Sequence, residues 1–191
     1  MSTTNGSYPN LPPEDILLIK KVIAGDVDQF NIFVDLYQDR IFKFFIKRFN
    51  DPVTAADLAQ DVFVEAYRKL CNFQGNSKFS TWLFGIALNI ARNYSNRSPD
   101  MRMKSNPIPL STASTDKGEN YLEDFLREKS LLVFKKEMDN LPDDLREALL
   151  MVSFEEFTYM ETAAIINIPI GTVKSRVYKA RQLLQDAMKR Y

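Results

Sequence analysis

The sequence predicts an all-α chain with two helical domains joined by a flexible linker, the C-terminal domain containing a helix-turn-helix. On both sides of a central segment, apolar residues recur at intervals of three and four, and the β-branched alternation typical of strands is missing. The central segment, residues 98–120, is rich in Ser, Pro, Asn and Thr and shows no periodicity, as linkers do. Near the C-terminal end, two periodic segments are separated by a short break, which is the outline of a helix-turn-helix.

The periodicity places four helices in each domain. In the first domain, residues 13–97, helices are predicted at residues 13–24, 27–50, 52–70 and 80–97. In the second domain, residues 121–191, they are predicted at residues 121–139, 143–154, 159–167 and 170–189. The aromatic residues of the second helix should mostly pack in a core, since aromatics spaced in this way usually do. They are Phe42, Phe44, Phe45 and Phe49.

The composition restricts the chemistry open to the chain. A chain of 191 residues with 45% hydrophobic residues can bury one core or two small ones. The absence of His and the single Cys71 remove most transition-metal sites, Cys-His or Ser-His catalysis and any intrachain disulfide. No residue set supports an enzyme, so we expect no catalytic residue, no metal and no cofactor.

No apolar run of about 18 residues is present, and the first 15 residues have neither a basic start nor an apolar segment. These features predict a soluble, reduced, cytoplasmic protein.

Charge is segregated along the chain although 25 cations balance 25 acids. Residues 171–191 carry a net charge of +5 and residues 75–104 carry +4, whereas residues 116–161 carry −7. Residues 51–65 hold four acids and no cation. Such alternation suits a protein that binds a polyanion with some faces and another protein with others, the alternative being chance clustering on solvated faces.

The third and fourth helices of the second domain have specific start and stop signals. Thr158 and Glu161 have the spacing of a capping box, which predicts a helix start. Residues 167–169 break this helix, and a new one begins near Pro169, because a proline in the first turn costs no hydrogen bond. Ala163 and Ala164 allow the two helices to approach closely.

The last helix should bury one face and present a cationic face to solvent. The predicted buried stripe repeats at four, three and four, and consists of Val173, Val177, Ala180 and Leu184. The opposite face carries Lys174, Ser175, Tyr178 and Lys179. A rod with such a face fits the major groove of DNA, and the amide groups at its N-terminus can bind a phosphate. The alternative is a solvated amphipathic helix, but the capping box and turn favour DNA contact.

The helix at residues 52–70 carries an acidic stripe beside an apolar one. Asp57, Asp61 and Glu65 recur at intervals of four. The adjacent stripe contains Leu58, Val62, Ala66 and Leu70. One face should therefore be core, and the other is either a docking surface or an ordinary solvated face.

Two stretches resemble a known family. "LPDDLREALLMVSFEEFTYMETAAIINIPIGTVKSRVYKARQLL", residues 141–184, is similar to region 4 of the extracytoplasmic-function group of bacterial RNA polymerase sigma factors, with "GTVKSR" and "KARQLL" as its most specific parts. "DLAQDVFVEAYRKLCNFQGNSKFSTWLFGIALNIARNY", residues 57–94, resembles region 2 of the same group. Two positions depart from the pattern: Glu156 stands where Gly is common, and Thr162 where an aliphatic residue is usual.

The resemblance implies an alternative sigma factor that recruits core RNA polymerase to promoter DNA and performs no covalent chemistry. It also implies contact with the clamp and flap regions of the polymerase, an anti-sigma factor as a further partner, and no small-molecule substrate. The implied polymerase-binding residues are Asp57, Gln60, Asp61 and Glu65. A basic clamp would match such an acidic face.

The resemblance also implies two promoter-binding sets. The minus 35 element would be bound by Thr172, Lys174, Ser175, Arg176, Tyr178, Lys179 and Arg181. Of these, Arg176 and Arg181 lie at the flanks of the outward face and should contact phosphate alone. The minus 10 element would be bound by Phe73, Ile86, Asn89, Arg92, Asn93 and Arg97.

In the minus 10 set, an aromatic ring would stack on an extruded base and an amide would read its edge, whereas Trp82 should belong to the core.

Two other classes of protein stay open: a helix-turn-helix regulator that binds DNA as a dimer without polymerase, and a helical adaptor with no DNA role.

Overall fold

The computed structural model describes residues 11–97 and 121–190. This part of the chain is helical and contains no strand, which confirms the all-α prediction. The helices are α1 (Pro13–Ile23), α2 (Phe30–Phe49), α3 (Pro52–Lys69), α4 (Phe79–Arg97), α5 (Tyr121–Asn140), α6 (Asp143–Ser153), α7 (Tyr159–Ile166) and α8 (Ile170–Met188). Single 3-10 turns precede α2 and follow α3, at Val27–Gln29 and Leu70–Asn72. The predicted linker, residues 98–120, lies outside the described residues.

The described helices fall into two compact units, the first formed by α1 to α4 and the second by α5, α6, α8 and most of α7. No helix in the described ranges is long and apolar enough to cross a membrane.

The first unit is built on an aromatic core. Helix α3 packs against both α2 and α4. Phe33 of α2 and Phe79 of α4 are fully buried and stack with ring centroids 4.1 Å apart. Phe44 and Phe45 are buried as predicted, but Phe42 departs from the prediction because its side chain is 36% exposed. Phe49 is half-buried and meets Tyr94 of α4 edge to face.

Two consecutive polar residues connect α2 to α3, one ending the first helix and the other capping the second. Asn50 ends α2 in the left-handed conformation with a φ of 54°, which Asn tolerates better than most residues. Asp51 then caps α3, since its carboxylate accepts a hydrogen bond of 2.9 Å from the amide of Thr54. The hydrogen bonds from the side chain and the backbone amide of Thr54 hold the pKa of the Asp51 carboxyl group below its usual range.

The second unit is organised around the packing of α6 on α8, with α5 also against α8. From α6 the core takes Leu145, Ala148, Leu149 and Met151. From α8 it takes the stripe that the sequence predicted, Val173, Val177, Ala180 and Leu184, together with Ala187. The apolar interval of three and four therefore marked the buried face of α8 correctly.

The two positions that depart from the family pattern have unusual surroundings. Glu156 has a φ of 59°, in the left-handed region where Gly has no steric penalty. Thr162 is fully buried, and its hydroxyl finds no hydrogen-bond partner among the described residues. A buried hydroxyl without a partner costs free energy, so an aliphatic side chain would suit this position better.

Candidate nucleic-acid interface

The helix-turn-helix consists of α7, a short turn and α8. The capping box predicted for α7 is present: the amide of Thr158 donates to Glu161 Oε2 at 2.9 Å, and the amide of Glu161 donates to Thr158 Oγ1 at 3.2 Å. Asn167 follows α7 with a φ of 61°, and Pro169 is the N-cap of α8. The left-handed residue and the proline together fix the direction in which α8 leaves the turn.

Helix α8 presents the predicted polar face to solvent. The four outward side chains, Lys174, Ser175, Tyr178 and Lys179, are all exposed. Tyr178 is 64% exposed, and its hydroxyl accepts a hydrogen bond of 2.8 Å from Gln182 Nε2. Because the opposite stripe is buried in the core, this face is the one that α8 can offer to a groove.

Ser175 and Thr172 are linked within the first turns of α8. The hydroxyl of Ser175 donates to the carbonyl oxygen of Thr172 at 2.9 Å, and the Thr172 side chain is half-buried. Bonding back to the preceding turn is common for a helical serine. The hydroxyl keeps its lone pairs, so it can still accept a hydrogen bond from a ligand in the groove.

The two flanking arginines of α8 contact α6. Arg176 Nε lies 3.4 Å from Asp144 Oδ2, and Arg181 Nη2 donates to Ser153 Oγ at 3.3 Å. Neither contact could be predicted from spacing, because Asp144 and Ser153 lie about 30 residues from their partners and meet them only through helix packing. Arg176 is half-buried, and Arg181 is exposed.

The acidic face of α3 is present as predicted. Asp57, Gln60 and Asp61 are exposed, while the adjacent apolar stripe, Leu58, Val62, Ala66 and Leu70, is buried. Glu65 is half-buried and pairs with Lys69 Nζ at 2.8 Å. The Lys69 ammonium holds the pKa of Glu65 below its usual range. The free acidic charge of this face therefore lies mainly at Asp57 and Asp61.

A cleft of about 330 Å³ lies between α3 and α4 and collects several predicted residues. One wall carries Ile86, Asn89 and Asn93 of α4, and the other carries Asp61 and Glu65 of α3. The residues of this cleft that the sequence did not single out are Val64, Arg68, Lys69 and Ile90. Arg68 and Lys69 follow Glu65 by three and four residues, a spacing that places them on the same helical face and that could have identified them.

Phe73 does not line this cleft. Its side chain is only 5% exposed, with ring centroids 4.8 Å from Trp82 and 6.0 Å from Phe79. The resemblance implied one base pocket for Phe73, Ile86 and Asn89, and of these the cleft is lined by Ile86 and Asn89. Trp82 is half-buried in the same aromatic cluster. Arg92 is half-buried and Arg97 is exposed at the end of α4.

Among the side chains that the structure describes, no three of His, Cys, Asp or Glu come together in a way that could hold a metal ion. Cys71, whose thiol is exposed, lies on the surface in the 3-10 turn after α3.

Comparison with known proteins agrees with this arrangement. The family described as Sigma-70 region 2 matches residues 33–98, and the family described as Sigma-70, region 4 matches residues 131–184. The RNA polymerase sigma-H factor of Pseudomonas aeruginosa is 33% identical over 92% of this chain and 94% of its own length. The ECF RNA polymerase sigma-E factor of Escherichia coli is 31% identical over 90% of this chain and 93% of its own length.

A solved structure shows the same fold. The sigma factor RpoE of Bartonella quintana, crystallised with the anti-sigma factor NepR, superposes with a TM-score of 0.61 at 28% identity and covers 84% of this chain and 96% of its own. Both predicted regions are matched in the predicted order, and the relatives extend over nearly the whole sequence. The chain therefore belongs to the extracytoplasmic-function group of the sigma-70 family of RNA polymerase sigma factors.

Proposed function

We propose that the chain is an alternative sigma factor, which binds core RNA polymerase and directs it to promoters through their minus 35 and minus 10 elements. The observation that carries this proposal is the exposed polar and cationic face of α8, held by a buried stripe in a helix-turn-helix. Family membership and the relatives of similar length support it. The protein would work by binding and positioning, without covalent chemistry, in the cytoplasm where transcription takes place.

Helix α8 is proposed to read the minus 35 duplex in the major groove. Lys174 and Lys179 can donate to guanine O6 and N7, and Ser175 can pair with several base edges. Tyr178 offers a ring for apolar contact with a thymine methyl group. Thr172 lies in the first turn, where its hydroxyl and the free amide groups of the helix can bind a phosphate.

Helix α4 is proposed to bind the minus 10 element and to help open it. Asn89 and Asn93 present exposed amides beside the buried Ile86, so they can read the edge of a base that enters the cleft. Arg92 and Arg97 extend towards the end of the helix and can contact phosphates. Each captured base returns on the order of 1 to 3 kcal/mol, which offsets the pairing lost on opening.

Phe73 supports this site from a different position. Its ring is packed against Trp82, so it can serve as a stacking surface only if the segment that carries it rearranges. We propose two roles for Phe73. In the free chain it holds the segment between α3 and α4 in place, and in the open complex it stacks on a base.

The acidic face of α3 is proposed to dock on the polymerase. Asp57, Gln60 and Asp61 are exposed side by side and would match a basic surface on the clamp of the largest subunit, with Glu65 at the edge. The second unit is proposed to contact the flap region. An anti-sigma factor is proposed as a regulatory partner, because the similar protein of Bartonella quintana was solved with one.

Transcription in vitro with core polymerase on a randomised promoter library tests the proposal. We expect transcripts that depend on the chain and start at a fixed distance from two enriched sequence elements. DNA binding as a dimer with no transcription would overturn the proposal and identify a regulator that works without polymerase.

A further inference from the structure

We propose that Arg176 and Arg181 position the recognition helix α8 by binding to α6, instead of contacting DNA phosphates. The inference rests on the proposed reading of the minus 35 duplex by α8 and assigns a different role to two of its cations. Arg176 is paired with Asp144, and Arg181 with Ser153. Asp144 and Ser153 are therefore the positions on α6 that would influence promoter reading without touching DNA.

The two contacts lie at opposite ends of α6. Asp144 is the second residue of α6 and Ser153 is the last. Between them, Leu145, Ala148 and Leu149 pack in the core that α8 shares. Apolar packing decides which face of α8 is buried, but the hydrophobic effect itself is not directional. A polar contact at each end of α6 adds the missing directional restraint.

The partner of Arg176 also reduces the value of this arginine as a phosphate ligand. The Arg176 side chain is 26% exposed, and the carboxylate of Asp144 beside it is 51% exposed. A phosphate approaching Arg176 would meet the negative charge of Asp144 as well. Lys174 and Lys179, in contrast, are exposed on the outward face. The cations of α8 thus divide into Arg176 and Arg181, which contact α6, and Lys174 and Lys179 on the outward face.

The orientation of α8 matters because base reading depends on short hydrogen bonds. A helix with its side chains has a radius of about 5 to 6 Å, so a rotation of 20° moves a side-chain tip by about 2 Å. That displacement is enough to break a bidentate contact with a base edge. Loss of the contacts to α6 should therefore relax the sequence preference, whereas loss of a phosphate contact weakens all sequences alike.

The test uses the full chain bound to core polymerase, with minus 35 duplexes chosen by selection from a randomised library. Binding is measured across a salt series for Arg176→Ala, Asp144→Ala and the charge exchange that combines Asp144→Arg with Arg176→Asp. We expect each single variant to lose about two- to five-fold in affinity for the selected duplex, since exposed ion pairs are weak. The preference over single-substituted duplexes should fall, the salt slope should stay as in wild type, and the charge exchange should restore the preference.

The other arm of the inference is tested with Ser153→Ala and Arg181→Ala. Both should relax the preference to a similar extent at an unchanged salt slope, because each removes the same contact. Thermal unfolding of every variant shows whether the second unit remains folded, and a variant that unfolds is replaced by Arg176→Lys or Arg181→Lys, which keep the charge but not the geometry of the guanidinium.

Two results would overturn the inference. In the first, Arg176→Ala lowers the salt slope by about one unit and weakens binding to every duplex equally, as loss of a phosphate contact does. In the same case Asp144→Ala binds more tightly, because Asp144 no longer competes with the phosphate for Arg176. The other is a charge exchange that fails to restore the preference, or single variants that behave as wild type. If the wild-type complex itself selects no minus 35 sequence, the proposed function fails instead, so the two failures are distinguishable.

Discussion

Phe73 packs against Trp82, with ring centroids 4.8 Å apart and the ring planes inclined at 42°. Phe73 also meets Phe79 edge to face, and Phe79 in turn stacks on Phe33. The segment between α3 and α4 is thereby connected to the centre of the first unit. Asn89, in contrast, is exposed on α4. The two side chains that were grouped in one base pocket should respond differently to substitution.

Asn89→Ala should lower open-complex formation more than closed-complex binding, because the amide acts only once a base leaves the stack. Permanganate reactivity of the promoter measures this difference. Phe73→Ala should instead cost the folded chain about 3 to 5 kcal/mol, as truncation of a buried ring does, which chemical denaturation measures. A wild-type permanganate pattern for Asn89→Ala would remove Asn89 from the melting step.

Asp61→Lys should weaken association with core polymerase and leave the first unit folded, because Asp61 is exposed on the proposed docking face. Titration of labelled core polymerase measures the affinity. Asp28→Lys is the matched control, since Asp28 is equally an exposed acid but lies in the 3-10 turn before α2. Equal affinities for the two variants would discard the docking role of Asp61.

Lys179→Ala should cost about 1 to 3 kcal/mol of minus 35 binding and relax the preference at one base position, as removal of a base-reading side chain does. Binding to matched and single-substituted duplexes measures both quantities. Lys189→Ala serves as the control, because Lys189 lies beyond the end of α8 and is paired with Asp186. The orientation proposed for α8 is wrong if Lys179→Ala weakens every duplex equally.

Glu156→Gly should stabilise the second unit by about 1 kcal/mol, because the φ of 59° is strained for a residue with a Cβ atom. Denaturant unfolding measures the change. Glu156→Ala removes the same carboxylate but keeps the Cβ atom, so it should give no such gain. A similar gain in both variants would point to the charge of Glu156 instead of its backbone conformation.

Thr162→Val should also stabilise the second unit, by about 1 kcal/mol, since it replaces a buried hydroxyl that has no partner among the described residues by a methyl group of similar volume. Thr158→Val is the opposite case. Its hydroxyl accepts from the amide of Glu161, so its loss should destabilise α7. Denaturant unfolding of the two variants under the same conditions compares their free energies of unfolding. A loss of stability in Thr162→Val would show that the Thr162 hydroxyl has a hydrogen-bond partner in solution.

The sequence was sufficient wherever structure depends on neighbours along the chain. The capping box of Thr158 and Glu161 and the buried stripe of α8 both follow from spacing, and both were predicted correctly. Helix bounds agree with the prediction to within a few residues, because periodicity and stop signals are local properties.

Features that depend on the approach of distant residues could not be predicted in this way. The pairing of Arg176 with Asp144 requires the packing angle of two helices, which no spacing encodes. The burial of Phe73 depends on the ring of Phe79, six residues away across an irregular segment. Phe42 is 36% exposed although its helix is rich in buried aromatic residues.

The bonds from α8 to α6 bear on how promoter preference can be transferred between proteins of this kind. A chimera that exchanges α8 alone would place foreign side chains opposite Asp144 and Ser153, and the grafted helix would lose the partners that orient it. Exchange of residues 143–188 carries α6, the turns and α8 as one unit with both bonds intact. We therefore expect the pair of helices with its connection, and not the recognition helix alone, to be the smallest segment that transfers promoter preference.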